Sequence, residues 1–198
     1  MLRAAVLELS KEETKVKSLW EAELRFAHSL LLEDMRNNSA WNHRWFVTHE
    51  GSTNPLSLDT LETEAQYALH AVQVDPFNES PWSYLIGILK EHTTKAKVDK
   101  KILATYEEKL SKLHSDYNSN PSLVAQGQCN FMLGSHVEIL QDLNTFDTLT
   151  QASEIALSLA SEHDVIRRKY WLYRQEELLK QASILTRDHN SEIVQDEN

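Results

Sequence analysis

The sequence is poor in the residues that build disulfide frameworks and turn-rich folds. Its 198 residues include one cysteine, four glycines and four prolines. The lone Cys129 excludes an intrachain disulfide and a cysteine-based zinc cluster, and such cysteine usage is typical of cytosolic chains. Scarce glycine and proline favour a helix-rich domain. No stretch approaches the ~20 apolar residues of a membrane span, so we expect a cytoplasmic protein without one.

Basic residues are also scarce, with 20 Lys and Arg against 30 Asp and Glu and a net charge of −10. Because nucleic acids and anionic membranes are bound through excess Lys and Arg, this balance argues against both and leaves room for a basic protein partner. None of the nine histidines has metal-site spacing such as His-x-x-x-His. We therefore predict no metal site in this chain. Because it also has no Ser-His-Asp order, Gly-rich phosphate loop or nucleophile elbow, we predict no catalytic residue.

What is present is a pattern that recurs at an offset of 41 residues, in which an aspartate is followed seven positions later by a tryptophan or leucine. The pairs are Asp34–Trp41, Asp75–Trp82 and Asp116–Leu123, and Asp164–Trp171 restates the interval after a longer gap. A period of 20–50 residues is typical of stacked units rather than one closed globule. We predict that Trp41, Trp82, Leu123 and Trp171 form the core between units, and favour this role over ligand contact.

Each unit predicts two helices joined by a short turn. In the first unit an apolar stripe with helical spacing predicts a helix over about residues 19–33. Ser39 is the expected N-cap of the next helix, and Ser80 that of its counterpart in the second unit. In the third unit the second helix is expected from Ser122 to about Leu143. The predicted segments are repeats of about 19–49, 58–92, 98–143 and 146–186, an unmatched segment 1–18 with a short helix, and a polar tail 187–198.

A lone helix pair leaves apolar surface uncovered, so the pairs are expected to stack into an all-α, α-α superhelix. Cutting such a stack exposes the apolar face of its terminal unit. Trp20, Leu24 and Phe26 would then be partly uncovered unless residues 1–18 fold over them. Both arrangements remain open at this point.

Three segments resemble the protein prenyltransferase α-subunit repeat, whose usual form is an Asn, a variable stretch, a Trp, two residues and an Arg. They are Asp34–Arg44, Pro76–Leu89 and Asp164–Tyr173, in the family's order. The resemblance covers about residues 19–180 and is nearest to the α subunit shared by protein farnesyltransferase and geranylgeranyltransferase type I. It implies about four such repeats.

The resemblance also implies a heterodimeric enzyme. In this family a crescent of α-subunit hairpins wraps a β subunit that holds a catalytic zinc and the isoprenoid pocket, and magnesium assists farnesyl transfer. The enzyme moves farnesyl or geranylgeranyl from its diphosphate to the cysteine of a C-terminal CaaX sequence. The implied partners are therefore a β subunit and, through the holoenzyme, CaaX proteins and an isoprenoid diphosphate, with no cofactor bound by this chain.

This sequence departs from the family at the turns that approach the diphosphate. The family's Lys-Asn-Tyr and Asn-Tyr-His turns belong to repeats that precede the one represented by Asp34–Arg44, where the turn here reads Arg36-Asn37-Asn38-Ser39. The chain thus resembles the C-terminal half of an α subunit, expected to support a β subunit and to be inactive alone. The alternative is a non-catalytic helical-repeat scaffold, either a truncated isoform or a degenerate paralogue.

Several polar residues of the repeat are candidates for contact with a partner subunit. For Arg44, pairing with a carboxylate such as Glu64 is an equally weighted alternative. The carboxylates at matched positions of the first two units are expected on a solvated face; they are Glu21, Glu23, Glu62 and Glu64. The interface candidates are Asn37, Asn38, Arg44, Asn78 and Tyr84.

Overall fold

The structure is a stack of helical hairpins. A computed structural model describes the backbone of residues 2–52, 56–96 and 100–196 and the side chains of residues 12, 14–52, 56–90 and 100–187. Within these ranges there is no strand, so the predicted all-α class is confirmed. The helices are α1 Leu2–Glu33, α2 Asn38–Glu50, α3 Leu58–Val74, α4 Glu79–Ala96, α5 Lys100–Asn118, α6 Pro121–Val124, α7 Asn130–Leu143, α8 Phe146–Ser158 and α9 Arg168–Asp196, with a π-helical turn at Leu159–His163 and a 3₁₀ turn at Val165–Arg167 before α9.

The helices pair as α1 with α2, α3 with α4, α5 with α7, and α8 with α9. The first three hairpins meet through their second helices, since α2 packs on α4 and α4 on α7, whereas the fourth hairpin meets the third mainly through α8 on α7. We call α2, α4, α7 and α9 the second-helix layer, and α1, α3, α5 and α8 the first-helix layer. Each hairpin therefore buries apolar surface against its neighbours, as stacked repeats require.

The core follows the hairpins and divides into two clusters. The larger joins the first three hairpins around Trp41 and Trp82, and the smaller joins α7, α8 and α9 around Trp171. All three indoles are at least 97% buried. Tryptophan suits such a position because its large ring fills the gap between hairpins while its N–H keeps a hydrogen-bond partner.

The helix caps lie two residues earlier than the serines expected to provide them. The side chain of Asn37 accepts a hydrogen bond from the amide of Ala40 at 3.2 Å, and that of Asn78 accepts from the amide of Ser80 at 3.2 Å. Ser39 already lies inside α2. The prediction was wrong because the tight turn after the aspartate brings the asparagine, rather than the serine, to the helix start.

The third hairpin contains an inserted segment, so its second helix does not follow the 41-residue offset. The expected helix from Ser122 to Leu143 is broken after α6, and the chain turns through Gly127, whose φ of 93° suits glycine, before α7 begins. Cys129 caps α7 and lies 51 rather than 41 residues after Asn78. Leu133, four residues after this cap, therefore takes the place expected for Leu123, which lies half-buried in α6.

The ends of the chain are more helical than expected. The sequence left open whether segment 1–18 covers the first hairpin or leaves it exposed. From Leu2 onward the backbone of this segment is part of helix α1. Phe26 consequently remains 54% exposed. Backbone of the expected polar tail is helical through Asp196, and residues 197–198 lie outside the described part of the chain.

Candidate functional site

The turns of successive hairpins are joined by shared carbonyl groups. The Met35 carbonyl accepts a hydrogen bond from the Trp41 indole at 2.9 Å and another from the Asn78 side-chain amide at 2.8 Å. Asn78 thus caps its own helix and holds the preceding turn at the same time. The turn leaves the lone pairs of this carbonyl oxygen free, and the two donors bond to them. Each hairpin therefore fixes the position of the next.

The same arrangement recurs one hairpin later with a thiol in place of the amide. The Pro76 carbonyl accepts from the Trp82 indole at 2.8 Å and from the Cys129 thiol at 2.9 Å. Burial raises the pKa of the Cys129 thiol above its ordinary value. A protonated, fully buried thiol that bonds to a carbonyl serves structure, since reactive cysteines need an exposed thiolate.

Arg44 and Glu64 form a buried ion pair between the first and second hairpins. Nε of Arg44 donates to one carboxylate oxygen at 2.7 Å and a terminal nitrogen donates to the other at 2.8 Å. The two residues are 5% and 2% exposed. The Tyr84 hydroxyl donates to the same carboxylate at 2.6 Å, and the Tyr67 ring lies 3.6 Å from the Arg44 guanidinium carbon.

The charges of this network are neutralised within it. Burial, followed by the nearby Glu64 carboxylate, raises the pKa of Tyr84 far above its ordinary value. Burial alone would lower the pKa of Arg44, but its hydrogen bonds to Glu64 and the carboxylate charge raise it. Arginine and tyrosine therefore keep their protons at any physiological pH, and the network holds the two hairpins together rather than exchanging protons.

These findings correct part of the expected interface. Arg44, Asn78 and Tyr84 are buried within the chain and do not offer side chains to a partner. Arg44 takes the alternative role of pairing with Glu64, which is therefore not on a solvated face. Asn37 is half-buried as a helix cap, whereas Asn38 is exposed at the start of α2.

The second-helix layer carries an open groove of about 370 Å³ between α4, α7 and α9. We call it the α4–α9 groove. Its walls combine the carboxylates of Glu79 and Glu138 with the guanidinium of Arg167 and the ring of Tyr170. Arginine and tyrosine are enriched in surfaces that contact another protein.

A second groove of about 290 Å³ lies between α2 and α4. Asn38 and Ser80 line one end of it, joined by a hydrogen bond of 3.3 Å between their side chains. Ser83 and Gly87 line both grooves, so the two adjoin along α4. The second-helix layer therefore presents one long indented surface.

A polar cluster at the α4–α9 groove was missed by the sequence reasoning. Glu138 on α7 bonds to Arg174 on α9 at 2.6 Å and to Lys90 on α4. Burial alone would raise the pKa of Glu138, but Lys90 and then Arg174 lower it below its ordinary value. A signal was available, because Arg174 follows Trp171 by three residues just as Arg44 follows Trp41.

The described residues include no group of three or more His, Cys, Asp or Glu side chains placed to hold a metal ion. Among the helices of the described part, none has the length and apolar character needed to cross a membrane. The side chains that line the α4–α9 groove offer hydrogen bonding, ion pairing and aromatic contact.

Sequence comparisons identify relatives of the chain. The profile of the family described as "Protein prenyltransferase alpha subunit repeat" matches residues 20–50. The α subunits of protein farnesyltransferase/geranylgeranyltransferase type I from Pisum sativum and Dictyostelium discoideum are 31% and 29% identical over 173 and 171 residues. These alignments cover 82% and 84% of this chain and 50% and 47% of the relatives. The chain thus spans about half the length of the curated relatives it matches, in their C-terminal half.

A solved structure shows the same fold. A chain of the Candida albicans protein geranylgeranyltransferase-I complexed with GGPP superposes with a TM-score of 0.57 at 24% identity, over 79% of this chain and 46% of that one. The expected α-α superhelix of helical hairpins is thereby confirmed. The repeat profile and the curated relatives agree: the chain contains the protein prenyltransferase α-subunit repeat, and over about four fifths of its length it is similar to the α subunits of these enzymes.

Proposed function

We propose that this chain acts as the C-terminal part of the α subunit of a heterodimeric protein prenyltransferase, and that it binds and stabilises the β subunit. The observation that carries the proposal is the indented surface of the second-helix layer, on a hairpin stack similar to known α subunits over about four fifths of its length. A regular row of helices with an exposed polar and aromatic surface suits a large protein partner.

In this proposal the complete enzyme transfers farnesyl or geranylgeranyl from its diphosphate to a CaaX cysteine in the cytoplasm. The zinc, and the magnesium used in farnesyl transfer, belong to the holoenzyme, with the zinc ligands on the partner. The residues of this chain contribute shape and rigidity. The Arg44–Glu64 pair and the shared turn carbonyls hold neighbouring hairpins in the register that the partner contacts.

Co-expression with a farnesyltransferase or geranylgeranyltransferase type I β subunit tests the assignment, read out by affinity capture and size-exclusion chromatography. Ser83 is exposed and lines both grooves, so Ser83→Arg fills the surface without disturbing the core. We expect it to weaken β-subunit binding by about tenfold or more, as loss of a central contact does. The matched control is Ala104→Arg on the exposed side of α5, which leaves binding unchanged.

Prenyl transfer to a peptide ending in CaaX tests the catalytic part of the proposal. We expect little or no turnover from this chain, alone or with a β subunit, because its sequence contains neither the Lys-Asn-Tyr nor the Asn-Tyr-His turn that approaches the diphosphate in the family. Normal turnover by the co-expressed pair would contradict that reasoning. Failure of the chain to bind any β subunit would contradict the subunit assignment itself.

A helical-repeat scaffold without a catalytic role is the second candidate. It is favoured by the apolar side chains that the first hairpin leaves exposed, among them Leu19 and Phe26. A scaffold would stay monodisperse without a β subunit and would bind other proteins through this hairpin. The Ser83→Arg variant separates the two candidates, because only β-subunit binding depends on the second-helix layer.

A further inference from the structure

The first-helix layer carries a groove of its own between α3 and α5, with a volume of about 410 Å³. We call it the α3–α5 groove. Both helices line it with side chains spaced at i, i+3, i+4 and i+7, which form one face of an α-helix. They are Gln66, Leu69, His70 and Gln73 on α3, and Lys109, Lys112, Leu113 and Asp116 on α5. The groove is therefore about 10 Å long, since each residue of a helix rises about 1.5 Å.

The α3–α5 groove has an apolar floor and a polar rim. Leu69 is 6% exposed, and Leu113 is half-buried where it packs against the core. The polar side chains that are exposed along the rim are Gln66, His70, Gln73, Lys112 and Asp116. Such a floor accepts an apolar side chain of a ligand, while the polar groups around it decide which ligand is bound.

The charge of the rim is opposite to that of the whole chain. Lys109 and Lys112 lie one turn apart, and Asp116 supplies the carboxylate among the lining side chains, whereas the chain has a net charge of −10. The Lys109 ammonium lies 4.5 Å from the centre of the Tyr106 ring. Among the described side chains, no carboxylate lies within ion-pair distance of either lysine. At 0.15 M salt, exposed charges more than about 8 Å away are largely screened, so the two lysines give the groove a local preference for an anion.

The α3–α5 groove is separate from the α4–α9 groove and from both ends of the stack. The two grooves share no lining residue. Helices α3 and α5 belong to the second and third hairpins, and a described hairpin lies on either side of these two. A ligand of the α3–α5 groove therefore does not compete with a partner that covers the second-helix layer.

We propose that the α3–α5 groove docks an acidic amphipathic helix of another protein. An apolar side chain of that helix packs on Leu69 and Leu113, and two of its carboxylates, one turn apart, pair with Lys109 and Lys112. A helix fits because its ridge of side chains fills the depression between two neighbouring helices, with anchors at this spacing. A lipid surface suits the groove less well, because a flat bilayer meets the rim and leaves the apolar floor uncovered. This interaction does not depend on a β subunit.

The test uses the full chain and a helix-stapled, fluorescent, alanine-based peptide. The peptide carries two glutamates one turn apart and a leucine on the adjoining face, and binding is measured by fluorescence anisotropy at 0.15 M salt. We expect Lys109→Gln/Lys112→Gln to weaken binding about tenfold, as the loss of two ion pairs can. The matched control is Arg168→Gln/Lys169→Gln at the exposed start of α9, which changes the net charge equally and leaves binding unchanged. Replacing the leucine of the peptide by alanine also weakens binding about tenfold, because the floor then stays unfilled.

A double-mutant cycle identifies the contact. Replacing both glutamates of the peptide by glutamine loses about the same tenfold, and combining this peptide with Lys109→Gln/Lys112→Gln costs no more than either change alone, since both remove the same ion pairs. Additive losses, or no measurable binding of the unmodified peptide, overturn the proposal. So does binding of the chain to phosphatidylserine vesicles that Lys109→Gln/Lys112→Gln abolishes, because a lipid surface would then be the ligand. Capture of a β subunit by this variant stays unchanged, and its loss would contradict the separation of the two surfaces. Circular dichroism checks that each variant remains folded.

Discussion

Replacing Arg44 by methionine gives the sharpest test of how the hairpins are held together. The substitution keeps an unbranched side chain of similar length but leaves the buried Glu64 carboxylate without its cation. Removing one partner of a buried ion pair costs about 3–5 kcal/mol, because the remaining charge is neither solvated nor paired. For a chain of this size that corresponds to a fall in Tm of about 6–20 °C.

The assay is urea denaturation followed by tryptophan fluorescence, with hydrogen exchange to locate the loss. Because stability in a stacked repeat is roughly a sum of units and nearest-neighbour interfaces, amides of α1 and α2 should exchange faster while those of α8 and α9 change little. Arg36→Met is the matched control. The Arg36 side chain is 64% exposed and pairs with Asp75, so its loss should cost no more than about 1 kcal/mol.

The double variant Arg44→Met/Glu64→Met separates charge from packing. It removes both charges and leaves the Tyr84 hydroxyl with Thr48 at 3.4 Å. We expect it to recover at least about 2 kcal/mol of the single variant's loss, since apolar replacement of a buried pair is often neutral or stabilising. A loss below about 1 kcal/mol for Arg44→Met, or a double variant less stable than the single one, would refute the reasoning.

Other contacts of the hairpin stack give three more tests. Asn78→Ala removes a helix cap and the hydrogen bond to the Met35 carbonyl, so it should lower the free energy of unfolding, measured in urea, by about 1–3 kcal/mol. Asn78→Asp keeps the cap and loses only the hydrogen bond, so it should lower the free energy of unfolding by less. Gly87→Ala should cost about 1–3 kcal/mol by overpacking on the Trp45 ring, and a thermal melt unchanged from wild type would contradict the close contact. Burial lowers the pKa of His136, so the unfolded chain binds a proton more readily and stability should fall as pH drops through the unfolded pKa near 6.5, by at most about 1.4 kcal/mol per pH unit for this group. His136→Gln should reduce the pH dependence of urea midpoints measured between pH 7.5 and 5.5, and His114, whose pKa burial also lowers, should account for dependence that remains.

Much of the fold was predictable from local pattern. Scarce glycine and proline, helical apolar stripes and the 41-residue repeat of Asp and Trp predicted helical hairpins in a stack, because composition, hydrophobic period and a recurring pattern can be read without knowing which residues meet in space. The third hairpin shows the limit. An insertion moved its second helix from Ser122 to Asn130, and a fixed offset placed Leu123 where Leu133 belongs.

The candidate site was less predictable, because it depends on which side chains meet across hairpins. Arg44 had two equally weighted roles in the sequence, and Arg174 with Glu138 went unnoticed although Trp171 precedes it at the same spacing. Asn78 was expected at a partner surface and instead holds the turn of the preceding hairpin.

Local chemistry alone therefore determined helix, turn and repeat class, since hydrophobic period and turn residues act over short stretches of chain. Only the packed stack decided that Glu64 is buried and paired with Arg44, while Glu23, its counterpart, lies half exposed beside His43. The physical reason is that two carboxylates with the same local setting differ in what the neighbouring hairpin brings within hydrogen-bond distance, and burial then makes that difference large.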